Sequence, residues 1–350
     1  MWAIFLLSLV LLLRQSLRMD PIRVLVTGAA GFIGSHVADR CLALGFEVVA
    51  VDNLSGGSRV NVPAGAVFVA GELEDPGFVG RLWTDHGPFD YVFHLAAYAA
   101  EGLSHFVRGF NYRNNLLASI NLINASVNHS VKHFVFTSSI AVYGPTQVPM
   151  REDTVPQPED PYGISKYAVE LDLEAAARMF GLNYTVFRPH NVYGERQNIA
   201  DKYRNVAGIF MNQLLQGKPM TVFGDGSQTR AFTHVDDVAP MIARAPMVAG
   251  ARNQVFNVGS DKAYTVIELA REIAAAMEMP FHIQHLAARA EVVHAFSDHA
   301  KLHRVFDPPA AVTLADGLRR MAAWVKKQGP AQPVEFKNIE IRQNLPPAWR

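Results

Sequence analysis

The sequence predicts an α/β fold, a doubly wound parallel sheet, and three observations carry this. Short β-branched apolar runs recur through the first half of the chain. Stretches with helical spacing separate them. A cluster of small residues joins the first run to the first helix. Strands that alternate with helices pair in parallel, because each crossover helix carries the chain back to the same end of the sheet.

The elements follow in order. Residues 22–26, mostly β-branched and apolar, read as a buried strand that ends at Gly28-Ala29-Ala30-Gly31. Residues 32–44 read as a helix, with Gly45 placed where a C-terminal cap is expected. Residues 47–51 form a second strand, closed by Asp52, and the apolar runs 66–70, 91–95 and 134–136 are further strands. Residues 145–161, rich in Pro and acidic side chains, read as a loop before the next helix. Past Phe187 the pattern becomes shorter and less regular. Residues 329–350 read as a tail in which 334–341 can form a strand.

Bulk composition excludes some functions. The chain has 350 residues, enough for one large domain or two small ones. Its 32 basic and 32 acidic residues cancel, so no net field draws in nucleic acid or an anionic membrane surface. Cys41 is the single cysteine, which rules out an intrachain disulfide and a multi-cysteine metal site. This fits a reducing compartment, and a cytoplasmic protein is expected. Residues 2–13 are almost wholly apolar and are followed by Arg14 and Arg18. That run is short of the roughly 20 residues a membrane-spanning helix needs. It also lacks the basic start and the small-residue cleavage site of a secretory signal. Three readings stay open: an upstream start artefact with Met19 as the true start, a membrane anchor, or a packed extra element.

Gly28, Gly31 and Gly34 stand between a predicted strand and a predicted helix. There the backbone can approach a pyrophosphate, and the helix start offers unpaired N–H groups. The plain alternative is a tight turn. Asp52 at the end of the second strand suits the two hydroxyls of an adenosine ribose and repels a 2′-phosphate, which favours NAD over NADP. Arg59 close by weighs the other way. Asp160 and Pro161 start a helix as cap and first residue. Tyr162 and Lys166, at i and i+4, then project from one side of it. Ile164, Ala168, Leu171 and Ala175 recur at helical spacing and are expected to be its buried face. A tyrosine is too weak an acid to serve as a base at neutral pH unless a nearby cation favours the phenolate. Lys166 is placed to be that cation, although a surface Tyr/Lys pair reads the same in sequence. Thr137-Ser138-Ser139 follow a strand and point hydroxyls at the ligand crevice, or else cap locally.

Taken together, these sets resemble the extended short-chain dehydrogenase/reductases, in the NAD-dependent nucleotide-sugar epimerase/dehydratase branch. The likeness runs from about Ile22 to Leu302. It adds His94-Leu95-Ala96-Ala97, Val142-Tyr143-Gly144, Arg188-Pro189-His190-Asn191-Val192-Tyr193-Gly194 and Phe223-Gly224-Asp225-Gly226 to the motifs above. It implies a Rossmann domain over residues 21–190, after a leader at 1–20. A smaller C-terminal α/β substrate domain spans 191–330 with interleaved elements, and a tail covers 331–350. It also implies a homodimer formed through a four-helix bundle. Its cofactor set is Gly28, Gly31, Phe32, Ile33, Gly34, Asp52, Asn53, Glu72, Leu73, Leu95, Ala96, Ala97, Asn115, Tyr162, Lys166 and His190. Its substrate set is Ser139, Asn191, Arg230, Arg289 and Ala295, for a nucleotide sugar of the UDP-hexose type. Ala231 stands where the family has Asp, and Arg289 is one residue out of register.

Within the branch, Ser139 matches the hydroxyl that assists the tyrosine. The 4,6-dehydratases follow it with an acid and a base, the decarboxylases set a Glu beside it, and the GDP-fucose type carries a Cys in the region. Here Ile140 and Ala141 follow. The resemblance therefore implies oxidation and reduction at one carbon, as in a UDP-glucose 4-epimerase, with Tyr162 taking the proton from the sugar hydroxyl. A related oxidoreductase that releases a ketosugar is the alternative. A cofactor-binding protein without turnover is disfavoured by the intact Tyr162, Lys166 and Ser139. Ala295 matches a position that is tyrosine in narrow enzymes and small in those that take 2-acetamido sugars.

Overall fold

The computed structural model describes residues 21–145, 148–288, 293–346 and 349. The leader and Arg289 lie outside the described residues. Parallel strands build the central sheet: β1 (Arg23–Thr27), β2 (Glu47–Asp52), β3 (Val67–Ala70), β4 (Tyr91–His94), β5 (His133–Thr137), β6 (Tyr184–Pro189) and β7 (Gln254–Val258). Their order across the seven-stranded sheet is β7-β6-β5-β4-β1-β2-β3. Chain direction across the sheet reverses between β1 and β4, which opens a crevice at their carboxyl ends. A hydrogen-bond chain pins that point. The N–H groups of Leu95 and Ala96 both donate to Thr27 Oγ1 at 3.2 Å, so the threonine O–H is left to donate to His94 Nδ1 at 2.8 Å. His94 Nε2 then donates to Ser119 Oγ at 2.8 Å, and Ser119 donates to the Asn115 carbonyl at 2.9 Å.

Side chains alternate across the sheet. Val24 and Val26 join one core with Val48, Ala50 and Phe93, under α1 (Phe32–Ala43). Leu25 faces the other way, into a core with Val49, Val92 and Phe134. In chain order come α2 (Pro76–His86), the short α3 (Glu101–Ser104) and α4 (Arg108–Tyr112), a π-helical turn, then α5 (Ala118–Asn128) and α6 (Pro161–Phe180). Leu82 of α2, Leu122 of α5 and Leu173 of α6 cover that second face.

The later helices are α7 (Val206–Leu215), α8 (Ala239–Arg244), α9 (Val266–Met277), α10 (Ala300–Phe306) and α11 (Leu314–Gln328). Ile242 of α8 and Phe306 of α10 return to the first face of the sheet. Phe210, Leu269 and Leu318, from α7, α9 and α11, build a third core with Met220 and Val222. The region past Phe187 thus carries long helices despite its irregular pattern. Among the described residues no helix is long and apolar enough to cross a membrane.

Two expectations fail. Ile164, Leu171 and Ala175 are exposed rather than buried, and Ala168 is only half-buried. The buried face of α6 is Tyr162, Lys166, Val169, Glu170, Leu173 and Ala176, because the helix turns its polar stripe toward the sheet and pairs it there. Residues 334–341 do not form a strand. Val334 makes one bridge to Asp201, and the following backbone pairs with the Phe106 carbonyl instead of a sheet edge.

Candidate active site

The carboxyl ends of β1, β4 and β5 open into a cleft of about 1970 Å³ that continues onto the C-terminal lobe. Single-ligand pockets span roughly 300–1,000 Å³, so two ligands fit side by side. Gly28, Gly31, Phe32, Ile33 and Gly34 line one end. Gly28 has φ +68°, and a β-carbon there would sit 2.7 Å from the Ala96 nitrogen. A β-carbon on Gly34 would fall 2.0 Å from the Gly28 carbonyl oxygen. Only glycine lets α1 begin this close to the loop. α1 has no side-chain cap, so its first N–H groups face the cleft free to meet an anion.

Asp52 is buried at the same end. Its carboxylate accepts from the Ala30 N–H at 3.0 Å and the Leu54 N–H at 2.7 Å. Each oxygen keeps a further lone pair, so the turn role and a ribose role are compatible. Asn53 donates to Glu72 at 2.9 Å, and both line the cleft with Leu73, Leu95, Ala96 and Ala97. Arg59 lies 4.4 Å over the Phe68 ring and is not part of the lining. Asn115 is fully buried and outside the lining. It accepts from the Tyr98 N–H at 2.8 Å and donates to the Tyr98 carbonyl at 3.1 Å, so it shapes the wall through that backbone. Thr137 Oγ1 is buried at the cleft with no partner among the described residues, as a ligand-facing hydroxyl would be.

α6 brings Tyr162 and Lys166 to the centre of the cleft. Asp160 caps it, accepting from the Gly163 N–H at 2.9 Å, and Pro161 is its first residue. Lys166 Nζ donates to the Thr137 carbonyl at 2.8 Å and lies 5.8 Å from the Tyr162 ring centre. Burial lowers the Lys166 ammonium to about 7, and Glu170 partly opposes it. Burial pushes the Tyr162 hydroxyl up, Glu101 adds to that, and a hydrogen bond with Ser139 works against it. Ser139 also caps the turn that follows, accepting from the Ala141 N–H at 3.1 Å.

Asn191 (φ +41°), Arg230 and Ala295 also line the cleft, and Ala295 packs against Ile140 and Met150, close to Ser139. Arg230 donates to the carbonyls of Thr229 and Val293, both at 2.9 Å. His190 reaches the lining, but its ring is already engaged, with Nδ1 3.1 Å from the Ala231 carbonyl and Nε2 2.9 Å from His299 Nε2.

Glu170 carries no sequence assignment, and Ser138, read as a crevice-facing or capping hydroxyl, is bound to it instead. Glu170 binds Arg188 through contacts of 3.0 and 2.5 Å, and Ser138 donates to Glu170 at 2.5 Å. The signal was available: Tyr162, Lys166 and Glu170 stand at i, i+4 and i+8.

A doubly wound sheet with a glycine turn, a buried carboxylate at the end of β2 and a Tyr/Lys helix at the crevice defines an extended short-chain dehydrogenase/reductase. The chain belongs to the NAD dependent epimerase/dehydratase family, whose profile matches residues 24–259. NAD is its cofactor. A UDP-glucose 4-epimerase of Mycolicibacterium smegmatis is 34% identical over 317 residues, covering 87% of this chain and 99% of that one. The crystal structure of the Thermotoga maritima UDP-glucose 4-epimerase with UDP-glucose superposes with a TM-score of 0.83 at 35% identity, over 88% of this chain and 99% of that one. The Thermus thermophilus UDP-glucose 4-epimerase in complex with NAD gives 0.81 at 32% identity, over 87% of this chain and 98% of that one.

Removing one partner of a buried ion pair strands the other charge. Glu170→Ala should therefore cost about 3–5 kcal/mol of stability in urea unfolding, and a loss below about 1 kcal/mol would show that the pair is not buried as described. The lowered Lys166 gives a pH signature. Unfolded lysine keeps its proton up to its ordinary value of 10.5, whereas the folded group releases it near 7. The unfolded chain thus binds more protons between those values, and stability of the cofactor-free protein should rise with pH across that window. Lys166→Met should flatten the rise, and an unchanged slope would contradict the burial of the ammonium.

Proposed function

We propose that this chain interconverts the C4 epimers of a nucleotide sugar, with UDP-glucose and UDP-galactose as the first pair to test. One observation carries the reading. Tyr162, Ser139 and Lys166 converge at one point of the cleft, while the residues after Ser139 are Ile140 and Ala141, which cannot move a proton. The likeness to UDP-glucose 4-epimerases over nearly their whole length supports it. NAD, when bound, supplies a positive charge and a reversible acceptor for the hydrogen at the sugar carbon. The chain's own part is positional and protonic. Ser139 orients the reacting hydroxyl, and Tyr162 takes its proton and later returns it. Lys166, when charged, stabilises the phenolate. The N-terminal end of α1 and Asp52 hold the dinucleotide, and Arg230 with Asn191 holds the substrate's diphosphate side. Ala295 leaves room at the sugar, so a 2-acetamido hexose is accepted as well. The localisation that fits this chemistry is the cytoplasm.

The protein acts as a homodimer in this reading. Leu171 is 48% exposed and Met179 76% exposed on the outer side of α6, and Leu117 is exposed on the neighbouring π-helical turn. Exposed apolar side chains on one helix side fit an interface, and the family resemblance implies a helix bundle there.

Incubation with UDP-glucose should yield UDP-galactose without net NADH, and UDP-N-acetylglucosamine should be epimerised in the same panel. Tyr162→Phe should abolish turnover with fold and bound NAD retained. Release of a ketosugar with stoichiometric NADH, or near-normal rates in the variant, would overturn the assignment. Light scattering should give a dimer that Leu171→Glu converts to monomer, and a monomeric wild type would refute the interface.

A further inference from the structure

The chain beyond α11 is stitched back onto the cleft. Lys202 meets Glu335 at 3.1 Å, and the Phe336 N–H donates to the Tyr203 hydroxyl at 3.2 Å. The Phe336 ring packs on Tyr98 and Phe110. Farther on, the two Glu340 oxygens accept from the N–H groups of Gly109 and Phe110, at 2.7 and 2.9 Å, at the start of α4. The N–H groups of Glu340 and Ile341 both donate to the Phe106 carbonyl. Half-buried Trp349 then lies against Phe106 and Tyr203. It also closes on Gly102, where a β-carbon would come within 2.9 Å of the indole.

The position of this segment along the cleft can be fixed. Asn344, Pro346 and Trp349 belong to the cleft lining. Gly102 lies in α3 between Glu101, whose charge bears on Tyr162, and Ser104, whose Oγ accepts from the Tyr162 N–H at 3.2 Å. Trp349 therefore lies on the Tyr162 side of the cleft, where the sugar reacts. We propose that Asn344, Pro346 and Trp349 form a wall of the sugar subsite and that Trp349 is a specificity-determining residue, its indole set against the apolar C–H face of the hexose. An indole is large, rigid and apolar with one polar N–H, which suits a ring that shows C–H bonds on its face and hydroxyls at its rim. Glu340 lies outside the lining and fixes the wall by holding two N–H groups that nothing else in the helix can satisfy.

The proposal rests on the nucleotide-sugar reading, and the test separates the two. UDP and UDP-glucose are titrated calorimetrically into the full chain, its Trp349→Ala, Trp349→Phe and Glu340→Ala variants, with bound NAD measured in each. Trp349→Ala and Glu340→Ala should weaken UDP-glucose about tenfold and leave UDP and NAD unchanged. Trp349→Phe should restore most of the loss, and the same split should appear as a raised KM. Unchanged UDP-glucose affinity in both variants overturns the proposal. Equal loss of UDP and UDP-glucose also overturns it, since a merely structural strap gives that result. A wild type that binds neither ligand fails the functional reading and removes the proposal with it.

Discussion

Glu170 and Arg188 meet inside the sheet lobe with 5% of either side chain exposed. Taking two charges out of water costs several kcal/mol per ion, and their attraction offsets this only when the geometry is good and the spare lone pairs are filled. Here the contact is two-pronged, and Ser138 fills a further acceptor position. The pair couples α6 to β6, and Ser138 couples both to the end of β5. On the other side the Arg188 guanidinium lies 4.7 Å from the Tyr143 ring centre, and the Tyr143 hydroxyl donates to Asn257 of β7 at 2.8 Å. The floor beneath Tyr162 and Lys166 is thus one polar network that spans three strands and a helix. Shifting α6 by a turn would break every contact that Glu170 makes in it, so the network sets the reach of both side chains into the cleft.

That rigidity has an electrostatic consequence. Lys166 is buried among Thr137, Phe136 and Tyr162, with the Thr137 carbonyl as its acceptor and Glu170 one helical turn away. Glu170, already committed to Arg188, opposes burial at Lys166 only in part. Burial therefore dominates and lowers the ammonium, while it raises the tyrosine. Both groups lie toward their neutral forms in the bare cleft, and charge placed in it shifts both. A site whose protonation responds to its occupant suits chemistry that must run in both directions.

Much of this was legible in sequence. The strands, the helix from Phe32, the N-terminal cap of α6 and the glycine turn all depend on local rules: β-branched runs, an Asp-Pro start, and positive φ at Gly28. The residues gathered at the cleft were legible because they sit at strand ends, where topology alone decides which way they face. What local rules could not reach was long-range. The Glu170–Arg188 pair joins separate elements. The tail's docking depends on Glu340 finding a helix start far away in sequence. Asn115 looked like a ligand contact and instead holds the Tyr98 backbone, a role that depends on how α4 and α5 are joined. α11 is hard to read in sequence because its periodicity is carried by Leu318, Met321, Ala322 and Val325 among many charges.

The reversed face of α6 shows why hydrophobic periodicity misleads at a working site. The rule assigns the apolar stripe to the core because burial of apolar area is the common source of helix docking. In α6 the inward stripe carries Tyr162, Lys166 and Glu170, each with a hydrogen-bonding partner, and the apolar positions between them are Val169, Leu173 and Ala176. Ile164 and Leu171 point outward with the exposed Met179 and Phe180. A helix can be apolar on both long sides only if both are covered, one by its own sheet and one by another surface. The sequence pattern that looked like a core face is thus the face left over, and the polar residues that looked like a solvent face are those whose burial had to be compensated one by one.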